Sequence, residues 1–326
     1  MPLSKGGGSV SIASGGIPLG NCLLSQSILP PPGYLYSGSF ILATEEWNAK
    51  AVIPNQRSYV ECTSWNDKIY CIGGVASPGN PNNEEYDTQT NTWSTKAWLA
   101  VDNRSGHGVA TANNKIYVIG GSEGGVTKAD VFEYDPLNNT WVTKTSLPNP
   151  LRSFSIAVAN EKIYVMGGFQ GASIKSETFE FNPLTNQWIT KAPMPSYSAR
   201  TAANAASVNN KIYVIGDLST SEFDPMTNIW SQKAHPSIAR TSPAVCSAHG
   251  KIYAIAGNAT GAGLKANEEY DPVKNSWTTK LQYPGEGGDL LISANVGNKI
   301  YIFNTGNPLE SYEYSVPVAF YIHCKN

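Results

Sequence analysis

Apolar and β-branched residues recur along this chain in short runs, never at helical spacing. Six of the runs open with Lys-Ile-Tyr, at Lys68, Lys115, Lys162, Lys211, Lys251 and Lys299, spaced by 47, 47, 49, 40 and 48 residues. Two turn residues stand before each: Asn66-Asp67, Asn113-Asn114, Asn160-Glu161, Asn209-Asn210, His249-Gly250 and Gly297-Asn298. Such pairs tolerate positive φ, which a two-residue type I′ hairpin requires. A first strand, a, and the Lys-Ile-Tyr strand, b, are therefore predicted to form a hairpin. Strand b closes on Gly73-Gly74, Gly120-Gly121 and Gly167-Gly168; Gly216-Asp217 and Ala256-Gly257 keep one glycine, and Asn304-Thr305 keeps neither. A third strand, c, carries Glu followed by Tyr or Phe, at Glu85, Glu133, Glu180, Glu222, Glu269 and Glu313. Asp-Pro-x-x-Asn, as in Asp135 to Asn139, suits a tight turn after it. A fourth strand, d, carries Trp93, Trp141, Trp188, Trp230 or Trp277, each followed three residues later by Lys.

Repeats of this length mean a repeat architecture. Four strands per unit and six units predict an all-β, six-bladed β-propeller with four antiparallel strands per blade. The doublet glycines, the Tyr and the Trp at these spacings resemble the kelch repeat over about residues 45–326. The repeated Glu and strand-d Lys read as cross-strand pairs. A propeller must join its first and last blades, and kelch proteins commonly complete one sheet from both chain ends. Trp47 and Lys50 look like a strand d without its own hairpins, although Tyr321 holds the same spacing inside the last unit. Closure by residues about 40–50 is the expectation, within a propeller spanning 34–326, with the tail 318–325 added at an outer edge. Residues 1–33, with a Gly-rich start and Pro30-Pro31-Pro32, read as a flexible extension. They leave no room for the BTB, BACK or F-box domain of the large kelch adaptors.

Composition narrows the classes. The chain has 326 residues, 23 Lys+Arg against 25 Asp+Glu, and a net charge of −2. A nucleic-acid binder would show a basic stripe. No apolar run is long enough for a transmembrane helix, and the N-terminus lacks the apolar block of a signal peptide. A cytoplasmic, soluble protein is the expectation. Five cysteines in a long chain do not form a disulfide framework. Cys62 and Cys71 face each other across the first hairpin at a non-hydrogen-bonded pair, within reach of a disulfide. Without a secretory signal, two reduced thiols are expected. Cys22, Cys246 and Cys324 have no evident partners.

The arginines form a pattern of their own. The chain has five, Arg57, Arg104, Arg152, Arg200 and Arg240, each 10 to 12 residues after a strand-d Trp and each followed by a hydroxyl residue: Ser58, Ser105, Ser153, Thr201 and Thr241. A propeller places all five near one mouth of its channel. A guanidinium is a planar fork matched to carboxylate or phosphate, so these residues, with His107 two positions inside a strand a, are the candidate ligand-binding set. The competing role is structural, with the arginines bridging blades. Arg-Ser-Gly-His-Gly at 104–108 resembles the approach to strand a in kelch adaptor domains, where arginines at this position contact acidic peptides. The resemblance implies anion recognition at this mouth. The b–c loops, at about 75–83, 122–130, 169–176, 217–220, 258–267 and 305–309, open on the same face and are rich in Gly, Asn and Ser. Arg104 and Arg152 with loops 122–130 and 169–176 make the first patch to consider.

Catalytic and metal signals are weak. His107, His235, His249 and His323 show no metal-ligand spacing, and no glycine loop has the Walker form. The Tyr–Cys and paired-His features of kelch copper-radical oxidases and the acidic-histidine cluster of the iron-dependent specifier proteins are not found. No catalytic residue, metal or cofactor is assigned. The expected function is a non-enzymatic binding module for a protein, an acidic peptide or an anionic ligand such as a glycan. One alternative is an enzyme similar to the bacterial kelch sialic-acid mutarotases, with His107 or a channel Glu as acid/base. Another is a virion-associated binding module: Pro31-Pro32-Gly33-Tyr34 and the aromatic-basic end, Tyr321 to Lys325, resemble segments of phage tail proteins.

Overall fold

The computed structural model describes residues 17–19, 22–25, 35–41, 45–75, 82–99, 103–196, 204–217, 219–259, 262–288, 291–306, 308–317 and 319–324. They form two units, one of residues 46–314 and one drawn from the two chain ends. The larger unit is a six-bladed β-propeller of four-stranded antiparallel sheets. From strand a to strand d, blade 1 runs Glu61–Trp65, Lys68–Ile72, Asn83–Asp87 and Thr92–Thr95. Blades 2 to 5 repeat this order from Gly108–Ala112, Ser155–Ala159, Asn204–Val208 and Ala244–Ala248. Blade 6 takes Leu291–Val296, Lys299–Asn304 and Glu310–Ser315 from the end of the unit and Glu46–Ala49 from its start. Each strand a packs beside the strand a of the next blade, and that of blade 6 packs beside that of blade 1. The six strands a thus line a closed central channel.

Local chemistry sets these strands. The a–b turns put both residues at positive φ in Asn113-Asn114, Asn160-Glu161, Asn209-Asn210 and His249-Gly250; at the other two only Asn66 and Gly297 do so. In the c–d turns the left-handed residue is Asn91, Asn139, Asn186, Asn228 or Asn275. Each of these asparagines accepts a backbone N–H from the start of the linker that leaves the preceding blade, at Ala51, Ala97, Thr145, Ala192 and Ala234. The strand-d Trp donates Nε1–H to the same segment: Trp93 to Ala51, Trp141 to Ala97, Trp188 to Thr145, Trp230 to Ala192 and Trp277 to Ala234, all at 2.7–2.9 Å. Trp47 makes the equivalent bond to Leu281, at 3.2 Å. Apolar residues of facing sheets fill the space between blades, as with Tyr117, Ile119, Ile163 and Val165 between blades 2 and 3.

A second network lies inside every blade. The Lys-Ile-Tyr tyrosine donates to the strand-c glutamate, as in Tyr117–Glu133 at 2.6 Å and Tyr301–Glu313 at 2.8 Å. The strand-d lysine pairs with the same carboxylate: Lys96–Glu85, Lys144–Glu133, Lys191–Glu180, Lys233–Glu222 and Lys280–Glu269. In blade 6 the lysine is Lys50, 3.2 Å from Glu313. Burial opposes these charges, but the lysine and tyrosine hydrogen bonds win. The carboxyls of Glu85, Glu180, Glu222 and Glu313 lie below their ordinary range, while burial and the glutamates push the tyrosines up.

The chain-end unit is a separate four-stranded sheet in the order Ile17–Leu19, Cys22–Ser25, Ala319–Cys324, Leu35–Ile41. The sequence reading put the tail at the outer edge of a blade and residues 1–33 in a flexible arm. The tail instead pairs on both sides with N-terminal strands. The β-prone run Ala319–Cys324 suits such pairing equally well, so the blade spacing of Tyr321 is not by itself a blade signal. Cys324 is disulfide-bonded, and its register partner across the sheet is Cys22. Cys62 and Cys71 are also bonded, with Cα atoms 4.2 Å apart. The Cys62–Cys71 bond corrects the expectation of reduced thiols there, and it occurs where antiparallel register brings the two cysteines opposite each other. Cys246 is buried and free.

Candidate functional site

The channel mouth on the b–c loop side opens into a cavity of about 460 Å³. Its wall includes Tyr59, Glu61, His107, Ser153, Phe154, Phe169, Asn204, Ser242, Ser293 and Thr305, so every blade contributes. Cavities of about 360 and 290 Å³ follow strands a toward the opposite end. Three two-stranded ribbons rise from the b–c connections at Ser122–Thr127, Phe169–Ile174 and Asn258–Gly263.

Of the five arginines, Arg200 lies outside the described residues, as does Thr201. Three of the other four turn into their own blades. Arg57 donates to the carbonyls of Gly73 and Cys71, at 2.8 and 3.0 Å, and pairs with Glu84. Arg240 bonds the carbonyls of Ala254, Ala256 and Ala266 and pairs with Glu268. Arg104 bonds the Gly120 carbonyl at 2.9 Å and pairs with Asp130 and Glu123, with its guanidinium carbon 5.9 Å from the Phe132 ring centre. All three side chains are at most 2% exposed. Each holds the end of strand b to strand c and the b–c loop, so these head groups do not reach the mouth. Ser58, Ser105 and Thr241 bridge by backbone to Val75, Ser122 and Asn258 across the loop base.

Arg152 is different, and the difference is one residue of register. Eleven residues separate Arg57, Arg104 and Arg240 from the following Lys-Ile-Tyr lysine, but ten separate Arg152 from Lys162. Arg152 therefore forms the backbone bridge, to Phe169, that Ser58, Ser105 and Thr241 form elsewhere. Leu151 takes the staple position: its carbonyl accepts from Gly121 N–H as that of Arg104 accepts from Gly74 N–H. Leu151 is fully buried and packs in the same apolar cluster as Phe179, which stands where blades 1 and 5 place Glu84 and Glu268. Blade 3 thus replaces an internal ion pair by an apolar one and frees an arginine. Arg152 is half-buried, stacked 5.0 Å from the Phe169 ring centre, with one bond to the Gly171 carbonyl at 3.3 Å. No carboxylate pairs with it among the described residues. Ser153 beside it is exposed and lines the cavity.

His107 is 3% exposed. Its Nε2 lies 3.0 Å from the Ile72 carbonyl of blade 1, and its ring covers Gly73, where an added Cβ would fall 2.4 Å from Cε1. Burial, with help from Arg104 and Arg57, holds its pKa down at about 4. The imidazole is neutral at pH 7 and bridges two blades, with Nε2 donating.

Two mouth residues escape a search based on arginines. Tyr59 is 58% exposed and holds φ at 60°, the left-handed region that blade 2 fills with Gly106. Bulky residues rarely sit there. Glu61 reaches the cavity from strand a of blade 1, where the other blades offer the uncharged Gly108, Ser155, Asn204, Ala244 and Ile292. Burial alone pushes its carboxyl up to about 8. No hydrogen bond or ion pair engages it among the described residues. Its signal in the sequence is the charge itself, in a strand set that otherwise carries none.

Fold and repeat network together define a kelch-type propeller. Residues 39–217 match the KLHDC2/KLHL20/DRC7 Kelch-repeats domain and residues 239–279 the Kelch motif. The chain belongs to the Kelch-repeat family. Among curated relatives, Kelch-like protein 15 of Danio rerio is 33% identical over 109 residues, 31% of this chain and 18% of that protein. Beta-scruin of Limulus polyphemus is 30% identical over 123 residues, 35% of this chain and 13% of that protein. The matches thus span under a fifth of these relatives' lengths. Among solved structures, YjhT superposes with a TM-score of 0.68 over 82% of this chain and 95% of its own, at 17% identity, a likeness of fold. Among the described residues, no helix is long and apolar enough to cross a membrane and no His/Cys/Asp/Glu cluster could hold a metal.

Proposed function

We propose that the chain is a binding module that recognises a protein or peptide segment at this mouth, with Arg152 as the contact for a ligand carboxylate. Kelch-repeat propellers commonly serve protein interaction, and the freed arginine is the observation that supports the reading. A guanidinium already stacked on an aromatic ring is preorganised, so little side-chain entropy is lost on binding. Tyr59 supplies an aromatic anchor of the kind enriched in binding hot spots, and Ser153 a hydroxyl on the same rim. A carbohydrate-active enzyme would need an acid/base pair here. His107 is committed to the Ile72 carbonyl and Glu61 stands without a partner, so the binding reading is preferred.

The test is fluorescence anisotropy with labelled Asp/Glu-rich peptides at low and physiological salt. Arg152→Ala should weaken binding about tenfold or more, which corresponds to about 1.4 kcal/mol. Arg152→Lys should recover part of the loss, because it keeps the charge without the planar fork. Unchanged binding by a folded Arg152→Ala protein overturns the assignment.

A further inference from the structure

We propose that the mouth cavity is a binding site for a primary ammonium group, such as a lysine side chain of a partner segment, with Glu61 as its counter-ion. The cavity volume lies within the range of small-ligand sites. Ionisable groups on its wall are few. Cys62 is held in its disulfide, His107 is neutral and bonded, and Tyr59 is a phenol. Among the described wall residues Glu61 is the one carboxyl, and no lysine or arginine stands there to offset it.

Nor do neighbouring elements supply a cation. The strands packed most closely on strand a of blade 1 are strand b of the same blade, strands a and b of blade 2 and strand a of blade 6. Their titratable groups are Lys68, Tyr70, Lys115 and Tyr117, besides the bonded Cys71. Lys68 is taken by Glu85 and Asp87, Tyr70 by Glu85, Lys115 by Asp135 and Tyr117 by Glu133. Arg57 and Arg104, close enough to depress His107, are paired with Glu84, Asp130 and Glu123. Among the described residues all the cations of this region are paired, and Glu61 is left over.

An unpaired carboxyl in such a cavity keeps its proton until a cation replaces it. An entering ammonium does so, and offers three donors. One goes to the Glu61 carboxylate. The hydroxyls of Ser153, Ser242, Ser293 and Thr305 and the Asn204 carbonyl are acceptors on the same wall. Phe154 and Phe169 offer ring faces or edges to the aliphatic stem and to the charge. The proton balance is simple: the ammonium keeps its three protons, and the one on the Glu61 carboxyl passes to buffer. Arg152 is not itself part of the cavity wall.

Isothermal titration of the full chain with Nα-acetyl-lysine amide at pH 7 tests this, in two buffers of different ionisation heat. One-to-one binding with release of close to one proton is expected, because the carboxyl titrates at about 8. Glu61→Gln should weaken binding at least about tenfold and abolish the release. The Nα,Nε-diacetyl analogue, without charge, should not bind. Absence of binding, equal binding of the diacetyl analogue, or binding without proton release by the native protein overturns the proposal. The last two readouts need no variant, so a misfolded Glu61→Gln would not protect it.

Discussion

At the scale of single residues, the propeller repeats a scaffold and varies one pair upon it. Arg57–Glu84 and Arg240–Glu268 are buried ion pairs at a position where Leu151 and Phe179 pack as hydrocarbons. Removing one partner of a buried pair strands the other charge, whereas replacing both by packed apolar residues is often neutral. Arg57→Leu alone should therefore cost about 3–5 kcal/mol, and Arg57→Leu with Glu84→Phe should recover most of it; urea unfolding of both variants measures the coupling. Two titrations separate in the same way. His107 is depressed in the fold, so the native state resists a proton that the unfolded chain accepts between pH 6.5 and about 4. Stability is lost on acidification across that window, by up to about 3 kcal/mol, and His107→Gln should lack this component of the unfolding curve. Glu61 is raised, so the native state holds a proton that the unfolded chain releases as pH rises from 4.5 to about 8. Its stabilisation is complete below that window and lost above it. Glu61→Gln should melt several degrees above the native protein at pH 9 and close to it at pH 5. The pattern of arginines was legible in the sequence, but their orientation was not. Counting forward from each Trp gives intervals of 10 to 12 and hides the shift, because the d–a linkers vary in length. Counting back from the next Lys-Ile-Tyr exposes Arg152 at once, because a hairpin fixes register and a linker does not.

At the scale of elements, the a–b and c–d hairpins and the strand order inside a blade could be read from turn residues and aromatic spacing, whereas the short ribbons within the b–c loops could not. The motif carries its own geometry: asparagine at positive φ, tyrosine on glutamate, tryptophan on the preceding linker. The state of the cysteines was not legible, since register shows proximity and says nothing of oxidation. The Cys62–Cys71 bond closes the first hairpin, nine residues apart in sequence. A loop of that size confines the unfolded chain by about 2.5 kcal/mol. Reduction, or Cys62→Ala with Cys71→Ala, should lower stability by about that amount without loss of β-sheet signal. Mass spectrometry with and without reductant, followed by unfolding of both forms, checks it. The chain-end sheet was the least legible element. Its strands lack the repeat, and the partners of its tail strand lie hundreds of residues away in sequence, beyond the reach of local pattern.

At the scale of the whole molecule, six similar sheets become one body only when the ring closes. Glu46–Ala49 completes blade 6, with Trp47 on Leu281 and near Tyr314 and Tyr283, and Lys50 on Glu313. Trp47→Ala should cost about 3–5 kcal/mol, as for other large aromatic truncations. The loss should appear in one cooperative transition, because blades 5, 6 and 1 meet through this strand; calorimetry distinguishes that from an early, separate melting step. The same strand has a consequence for biosynthesis. Its partner Glu310–Ser315 lies roughly 260 residues further along, so at about 5–20 residues per second a ribosome takes some 13–50 s to bring the two together. For that interval each blade can form its hairpins as it emerges, yet the opening segment has no sheet to join. The first residues of the propeller to be made are thus the last to fold, and whatever shields them on the ribosome sets how safely the ring is finished.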